Sequence, residues 1–180
     1  MTMQIAFELD DNELKHFELI MREARKAAAN AAPEVIVAAA EKLLEHVGDT
    51  RVPAFIMERL EKLATMTKML ADQEWRLPEA DAARVLNALA YFCEPEDLIP
   101  DHIPGIGYLD DAIMIELVAN ELRHEFEAYK DFCEFRDSVP PKVGVKARSS
   151  DVTREDWLDK RRAELQSRMH RRMKRSSRNR

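Results

Sequence analysis

Apolar side chains recur at intervals of three and four residues through most of this chain, with few glycines to interrupt them. Leu14, Phe17, Met21, Ala24 and Ala28 make one such stripe, and Ile56, Leu60, Leu63, Thr67 and Leu70 make another. A third runs through Val85, Leu86, Leu89 and Phe92, and a fourth through Ile115, Val118, Ala119, Leu122, Phe126, Tyr129 and Cys133. This spacing puts each set on one face of an α-helix and suits no strand, where the period is two. Only 4 glycines occur in 180 residues, and there is no Asn-Gly or Asp-Gly hairpin signal. The expected fold is all-α: a compact bundle of about five helices followed by a basic C-terminal helix and tail.

Local signals place the helix ends. Asp10 is a candidate N-cap, with Glu13 completing a capping box and Leu9 and Leu14 positioned as a hydrophobic staple. Pro33 suits the first turn of a second helix that stops near Gly48. Asp49 or Thr50 is expected to cap a third, and a fourth should run from about Pro78 to Cys93. A long fifth helix is expected from about Asp110 to Arg136, roughly 40 Å at 1.5 Å per residue. Asp110 or Asp111 is its expected cap.

Charge divides the chain in two. Residues 1–138 hold 14 Lys and Arg against 29 Asp and Glu, whereas residues 139–180 hold 14 against 5. The division predicts an acidic helical domain over 1–138, a flexible linker over 139–152 rich in Pro, Ser and Lys, and a basic helix and tail over 153–180. That last helix has a thin apolar stripe, Leu158, Leu165, Met169 and Met173, which would either lie on the body or stand in solvent. Its candidate anion-binding residues are Arg161, Arg162, Arg168, Arg171, Arg172, Lys174, Arg175, Arg178 and Arg180. Arginine outnumbers lysine here and favours forked contacts to phosphate over plain solubility. Docking of the tail onto the acidic body is the competing expectation.

The segment from Ala88 to Ile115 reads ALAYFCEPEDLIPDHIPGIGYLDDAIMI. Prolines 95, 100 and 104 keep it out of long helix, and Gly105 and Gly107 suit turns. Its apolar residues are too many for a loose loop, so Leu98 and Ile103 are expected to be buried. Tyr91, Pro95, Asp97, Leu98, Ile99, Pro100, Asp101, Ile103, Pro104, Gly107, Asp110 and Asp111 together resemble the signature of the YkvA-type family, a bacterial domain of unknown function. The resemblance covers 30 to 40 residues. It brings no established activity, cofactor or catalytic residue; the alternation of apolar residues with caps and turn formers is what gives Asp97, Leu98, Ile99, Pro100, Asp101, Ile103, Pro104, Gly107, Asp110 and Asp111 an expected structural role. Some members look membrane-associated, whereas Glu96 and His102 here are polar where members often carry apolar residues.

Chemistry-bearing motifs are sparse. Asp101, His102 and Asp110 in the loop are one candidate metal-ligating group, and the Glu-x-x-His pairs Glu121–His124 and Glu13–His16 are another. Caps and solvated helix faces account for the same residues. Cys93 and Cys133 sit among aromatics and are expected as free, inert thiols. Met57, Met66 and Met69 are expected as core filler. No P-loop, GxGxxG, GxSxG or HExxH pattern is present. No apolar run reaches the roughly 20 residues that a membrane-spanning helix needs. The reading is a non-enzymatic cytoplasmic interaction protein without cofactor. Its acidic body would dock a protein partner, and its basic tail would bind an anionic surface, nucleic acid or acidic lipid, leaving it peripheral there. A metal-dependent enzyme or metal sensor is the alternative.

Overall fold

In a computed structural model, the described residues are 8–48, 52–93, 99, 103, 106–140 and 152–178. Among them the secondary structure is helical throughout: α1 (Asp11–Ala27), α2 (Pro33–Gly48), α3 (Ala54–Ala71), α4 (Glu79–Leu89), a 3₁₀ turn (Ala90–Cys93), α5 (Leu109–Glu121), α6 (Arg123–Ser138) and α7 (Arg154–Arg178). The all-α expectation is correct. No helix among the described residues is long and apolar enough to cross a membrane.

α1 begins as its sequence requires. Asp10 Oδ1 accepts from the N–H groups of Asn12 and Glu13 at 2.7 and 2.9 Å, and Glu13 Oε2 accepts from the Asp10 N–H at 2.8 Å. Three otherwise orphaned donors are thereby met, and such a cap contributes about 1 kcal/mol. Elsewhere the ends depart from expectation. α3 starts at Ala54 with Pro53 at the N-cap and no side-chain bond; Asp49 and Thr50 lie outside the described residues. α4 stops at Leu89 and tightens into the 3₁₀ turn instead of continuing to Cys93. Pro95 explains this, since it biases residue 94 away from the α region and a 3₁₀ turn is a common way to finish a helix.

The single long fifth helix is in fact two. The backbone bends at Leu122, with φ −95° and ψ 17°. Arg84 of α4 supplies the cause: its Nη2 donates to the Glu121 carbonyl at 3.0 Å. A continuous helix would have given that carbonyl to the N–H of residue 125, so a side chain has entered the ladder and the helix kinks. Periodicity survives the bend, because Ile115, Val118, Leu122 and Tyr129 are all buried.

The core runs between α3 and α5 and continues under α6. Ile56, Leu60, Leu63, Met66 and Met69 of α3 and Met114, Ile115 and Val118 of α5 are all buried. Met66 and Met69 are thus core filler as expected; Met57 is exposed. The turn after α3 closes the structure. Asp72 Oδ1 accepts from the N–H groups of Glu74 and Trp75 at 2.9 and 3.0 Å, an Asx turn. Arg76 completes the reversal at φ 48°, in the left-handed region. The turn drives Trp75 fully inside, where its ring lies 5.8 Å from Tyr129 and 5.1 Å from Phe132 of α6. Asp72 Oδ2 then accepts from the Tyr129 hydroxyl at 2.9 Å and from Arg136 Nη1 at 2.6 Å.

α7 lies along α6. Its thin stripe is enough, for Leu158, Leu165 and Met169 are buried in the same core as the body's apolar residues. Of the linker, residues 141–151 lie outside the described residues.

Candidate functional site: a charged seam beneath the C-terminal helix

The signature loop contributes less geometry than its sequence promises. Asp97, Leu98, Pro100, Asp101, His102 and Pro104 lie outside the described residues. Ile99 and Ile103 are half-buried, and Gly107 is buried with its N–H donating to the Ile103 carbonyl at 3.0 Å. Asp110 and Asp111 are not the caps of α5. Tyr108 occupies the N-cap without a side-chain bond, and both aspartates are buried in the first turn. Asp110 Oδ2 accepts from the Ile99 N–H at 3.0 Å. The carboxylate therefore fastens the loop back onto the helix start, where the dipole also favours its charge.

Metal-candidate residues do not converge. Glu121 pairs with Arg25 at 2.8 Å, and His124 contacts Ser176 and Arg123. Glu13 and His16 are exposed. Among the described residues no group of three His, Cys, Asp or Glu gathers to hold a metal ion. His124 is not on a solvated face as its surroundings in sequence suggested, but buried between α6 and α7. Cys93 and Cys133 are not joined in a disulfide, and burial pushes Cys133 above the ordinary thiol range.

What the fold does assemble is a polar seam where α4, α6 and α7 meet. On α4, Asp81 and Arg84 point the same way, being three residues apart. Asp81 is buried, and its Oδ2 lies 2.7 Å from His170 Nε2 of α7. Arg84 Nε lies 3.0 Å from Oε1 of Glu125, a residue with no exposed surface. Burial raises the Glu125 carboxyl above its ordinary range; its own backbone N–H and Arg84 pull the other way, while Asp81 and Glu121 add repulsion. Further along α7, Arg168 pairs with Asp131 and Arg172 with Glu127. Arg162 donates to the Glu74 carbonyl at 3.0 Å, Gln166 to the Trp75 carbonyl at 3.0 Å, and Arg154 to the Glu74 carboxylate at 2.7 Å.

The basic residues of α7 thus fall into two groups. Arg162, Arg168 and Arg172 face the body, and Arg161 pairs with Glu164 while lying over the Phe135 ring at 5.6 Å. Lys160, Arg171, Lys174, Arg175 and Arg178 are exposed and meet no carboxylate among the described residues. At 100° per residue these five fall together on the side of α7 opposite Leu158, Leu165 and Met169. Arg180 lies outside the described residues.

Asp81, Arg84, Glu125, His170 and Ser176 were invisible as a set in the sequence. The i, i+3 placement of Asp81 and Arg84 was the one local sign, and nothing in it names the partners across the seam. Trp75, too, carried no local sign of its aromatic neighbours.

An all-helical body with a loop pinned to a helix start by a buried aspartate is the class of domain defined here. The family model described as "Protein of unknown function (DUF1232)" matches residues 82–117, from within α4 into α5. The chain is also 30% identical over 77 residues to the uncharacterized membrane protein YkvA of Bacillus subtilis, the match covering 39% of this chain and 71% of the relative. No solved structure matches it. The chain belongs to this YkvA-like family. Arg84, Asp110 and Asp111 fall inside the matched segment, while Glu125, His170 and Ser176 fall outside it.

Proposed function

We propose that this chain is a non-enzymatic interaction protein whose acidic body docks a protein partner and whose C-terminal helix holds it to an anionic surface. The observation that carries the reading is the two-sidedness of α7. Its inner cations are taken up, Arg168 by Asp131 and Arg172 by Glu127 of the body and Arg162 by the Glu74 carbonyl and Asp159, so the charge left to attract a partner is the outer set: Lys160, Arg171, Lys174, Arg175 and Arg178. Those five span about 27 Å at 1.5 Å per residue along a helix that packing on α6 keeps in place. A fixed line of cations suits an extended polyanion or a charged plane. The excess of acids over bases in residues 1–138 fits the docking of a basic partner on the body.

Of the two anionic surfaces, acidic lipid is favoured by one observation. The relative carries the name of a membrane protein, while no described helix here can span a bilayer. Attachment would then be peripheral, with about 1 kcal/mol gained per Lys or Arg near the surface. Co-sedimentation with phosphatidylserine vesicles, and binding to duplex DNA and RNA, at two salt concentrations tests the reading. Vesicle binding that weakens with salt and with Arg171→Gln/Arg175→Gln is expected; retention of wild-type binding by that double variant would refute it. If nucleic acid is bound instead, the slope of log affinity against log salt should be roughly −4 to −5 for the outer set alone.

A further inference from the structure

We propose that Arg123, His124 and Ser176 form a discrete binding site for a phosphate-class anion, at the junction of the first turn of α6 and the last turns of α7. The contacts among these residues are short of acceptors. Arg123 Nη2 donates to Ser176 Oγ at 3.1 Å, Arg123 Nε points at His124 Nε2 at 3.4 Å, and that same Nε2 lies 2.9 Å from Ser176 Oγ. If Nε2 carries the proton, it and the Arg123 Nε–H face each other. If Nε2 is bare and accepts, the proton sits on Nδ1, which is buried and has no hydrogen-bond partner. The first tautomer sets two N–H groups against each other, and the second leaves a buried N–H unmet, which is costly. An anion oxygen set before Nε2 removes the conflict: His124, Arg123 and Ser176 then all donate outward to it, and charge assistance strengthens each bond.

The surrounding field has the right sign. Burial holds the His124 imidazole below its ordinary range, and Arg123, Arg172 and Arg84 push it further down against the opposing pull of Glu127. Arg172 is already paired with Glu127 and Arg84 with Glu125, so Arg123 is the cation of the group that meets no carboxylate among the described residues. Arg123 is exposed, which gives an anion a route in from solvent, and its planar fork matches phosphate geometry. The same field repels a metal cation, so His124 is better suited to an anion than to the metal its Glu-x-x-His spacing suggested. This site does not depend on the outer stripe of α7: it uses the inner end of the helix, and either can fail without the other.

Two sources share the ligand chemistry, a free phosphate ester and a lipid phosphate headgroup. The test is a titration of the full chain with inorganic phosphate at ionic strength held constant with chloride, read by melting temperature. A saturable rise is expected, with affinity at least tenfold weaker in Arg123→Gln and in Ser176→Ala, and unchanged in Arg175→Gln. No rise beyond chloride, or a rise that survives both Arg123→Gln and Ser176→Ala, overturns the site. Given the rise, vesicles of phosphatidic acid and phosphatidylglycerol at matched charge identify the source. A preference for phosphatidic acid that disappears in Arg123→Gln assigns a lipid headgroup, and equal binding assigns a soluble ester.

Discussion

Two helix contacts in this protein are built on opposite plans. α3 meets α5 through a broad apolar face, Ile56, Leu60, Leu63 and Met66 on one helix and Met114, Ile115 and Val118 on the other, with charge at its edge where Arg59 and Lys62 meet Glu116 at 3.2 and 2.6 Å. α6 meets α7 through a narrow apolar line, Leu158, Leu165 and Met169, flanked by Asp131–Arg168, Glu127–Arg172 and the His124–Ser176 contact. The first contact draws its stability mainly from area removed from water, and only its Glu116 edge is open to screening by salt. The second adds charge pairs that are half in solvent, worth little individually but selective for a basic helix. A seam of that kind lets α7 spend some of its arginines on the body and keep the rest for the outside.

The largest expected effect tests the link between the two contacts. Trp75→Ala should cost about 3–5 kcal/mol, because the indole is fully enclosed between the Asp72 turn and the Tyr129 and Phe132 rings of α6. Denaturant unfolding measures it, and a cost below about 1 kcal/mol would place Trp75 outside the core. Next comes Leu165→Ala, at about 2–5 kcal/mol if α7 is part of the same cooperative unit. Separate transitions for α7 and the body would break the comparison, leaving α7 as an appendage instead of a wall of the core.

Asp72 is intermediate. Burial alone would raise its pKa, but Arg136, Tyr129 and the N–H groups of Trp75 and Glu74 outweigh that and hold it below the ordinary range. A carboxyl depressed in the folded state contributes stability above its unfolded pKa, near 3.8, and loses it as pH falls through the folded value. Asp72→Asn should therefore cost about 1.5–3 kcal/mol at pH 7, the range for hydrogen bonds to a charged group. It should also flatten the acid limb of the stability curve below about pH 4. Equal acid sensitivity in wild type and variant would remove Asp72 from the account.

A smaller effect separates the seam from the core. Arg168→Gln should cost at most about 1 kcal/mol, and the difference should shrink in high salt, because both partners are about 40% exposed. The smallest stability effect belongs to the outer face: Arg171→Gln or Lys174→Gln should leave stability within about 0.5 kcal/mol. If the bound surface is nucleic acid, each should also reduce the magnitude of the salt slope by about 1. Equal stability losses on the inner and outer faces of α7 would erase the distinction between them.

The sequence by itself determined the all-helical class, because helical periodicity and capping are written in residues three and four apart. The Asp10–Glu13 box and the start of α2 at Pro33 are local in that sense. The loop signature was legible for the same reason, as a run of typed residues at fixed spacing, and it led to the right family. Only the tertiary structure decided what joins across distance. Leu122 bends because Arg84, 37 residues before the carbonyl it takes at Glu121, enters the ladder. Asp110 turned from a cap into an anchor because Ile99 folds back to it, and Glu125 became buried where α4 brings Arg84 against it. The inner and outer arginines of α7 look alike in sequence, since side-chain chemistry is the same on both faces. What differs is the presence of Asp131, Glu127 and Glu74 opposite one face, and that is set by how α6 and the Asp72 turn are placed by the core.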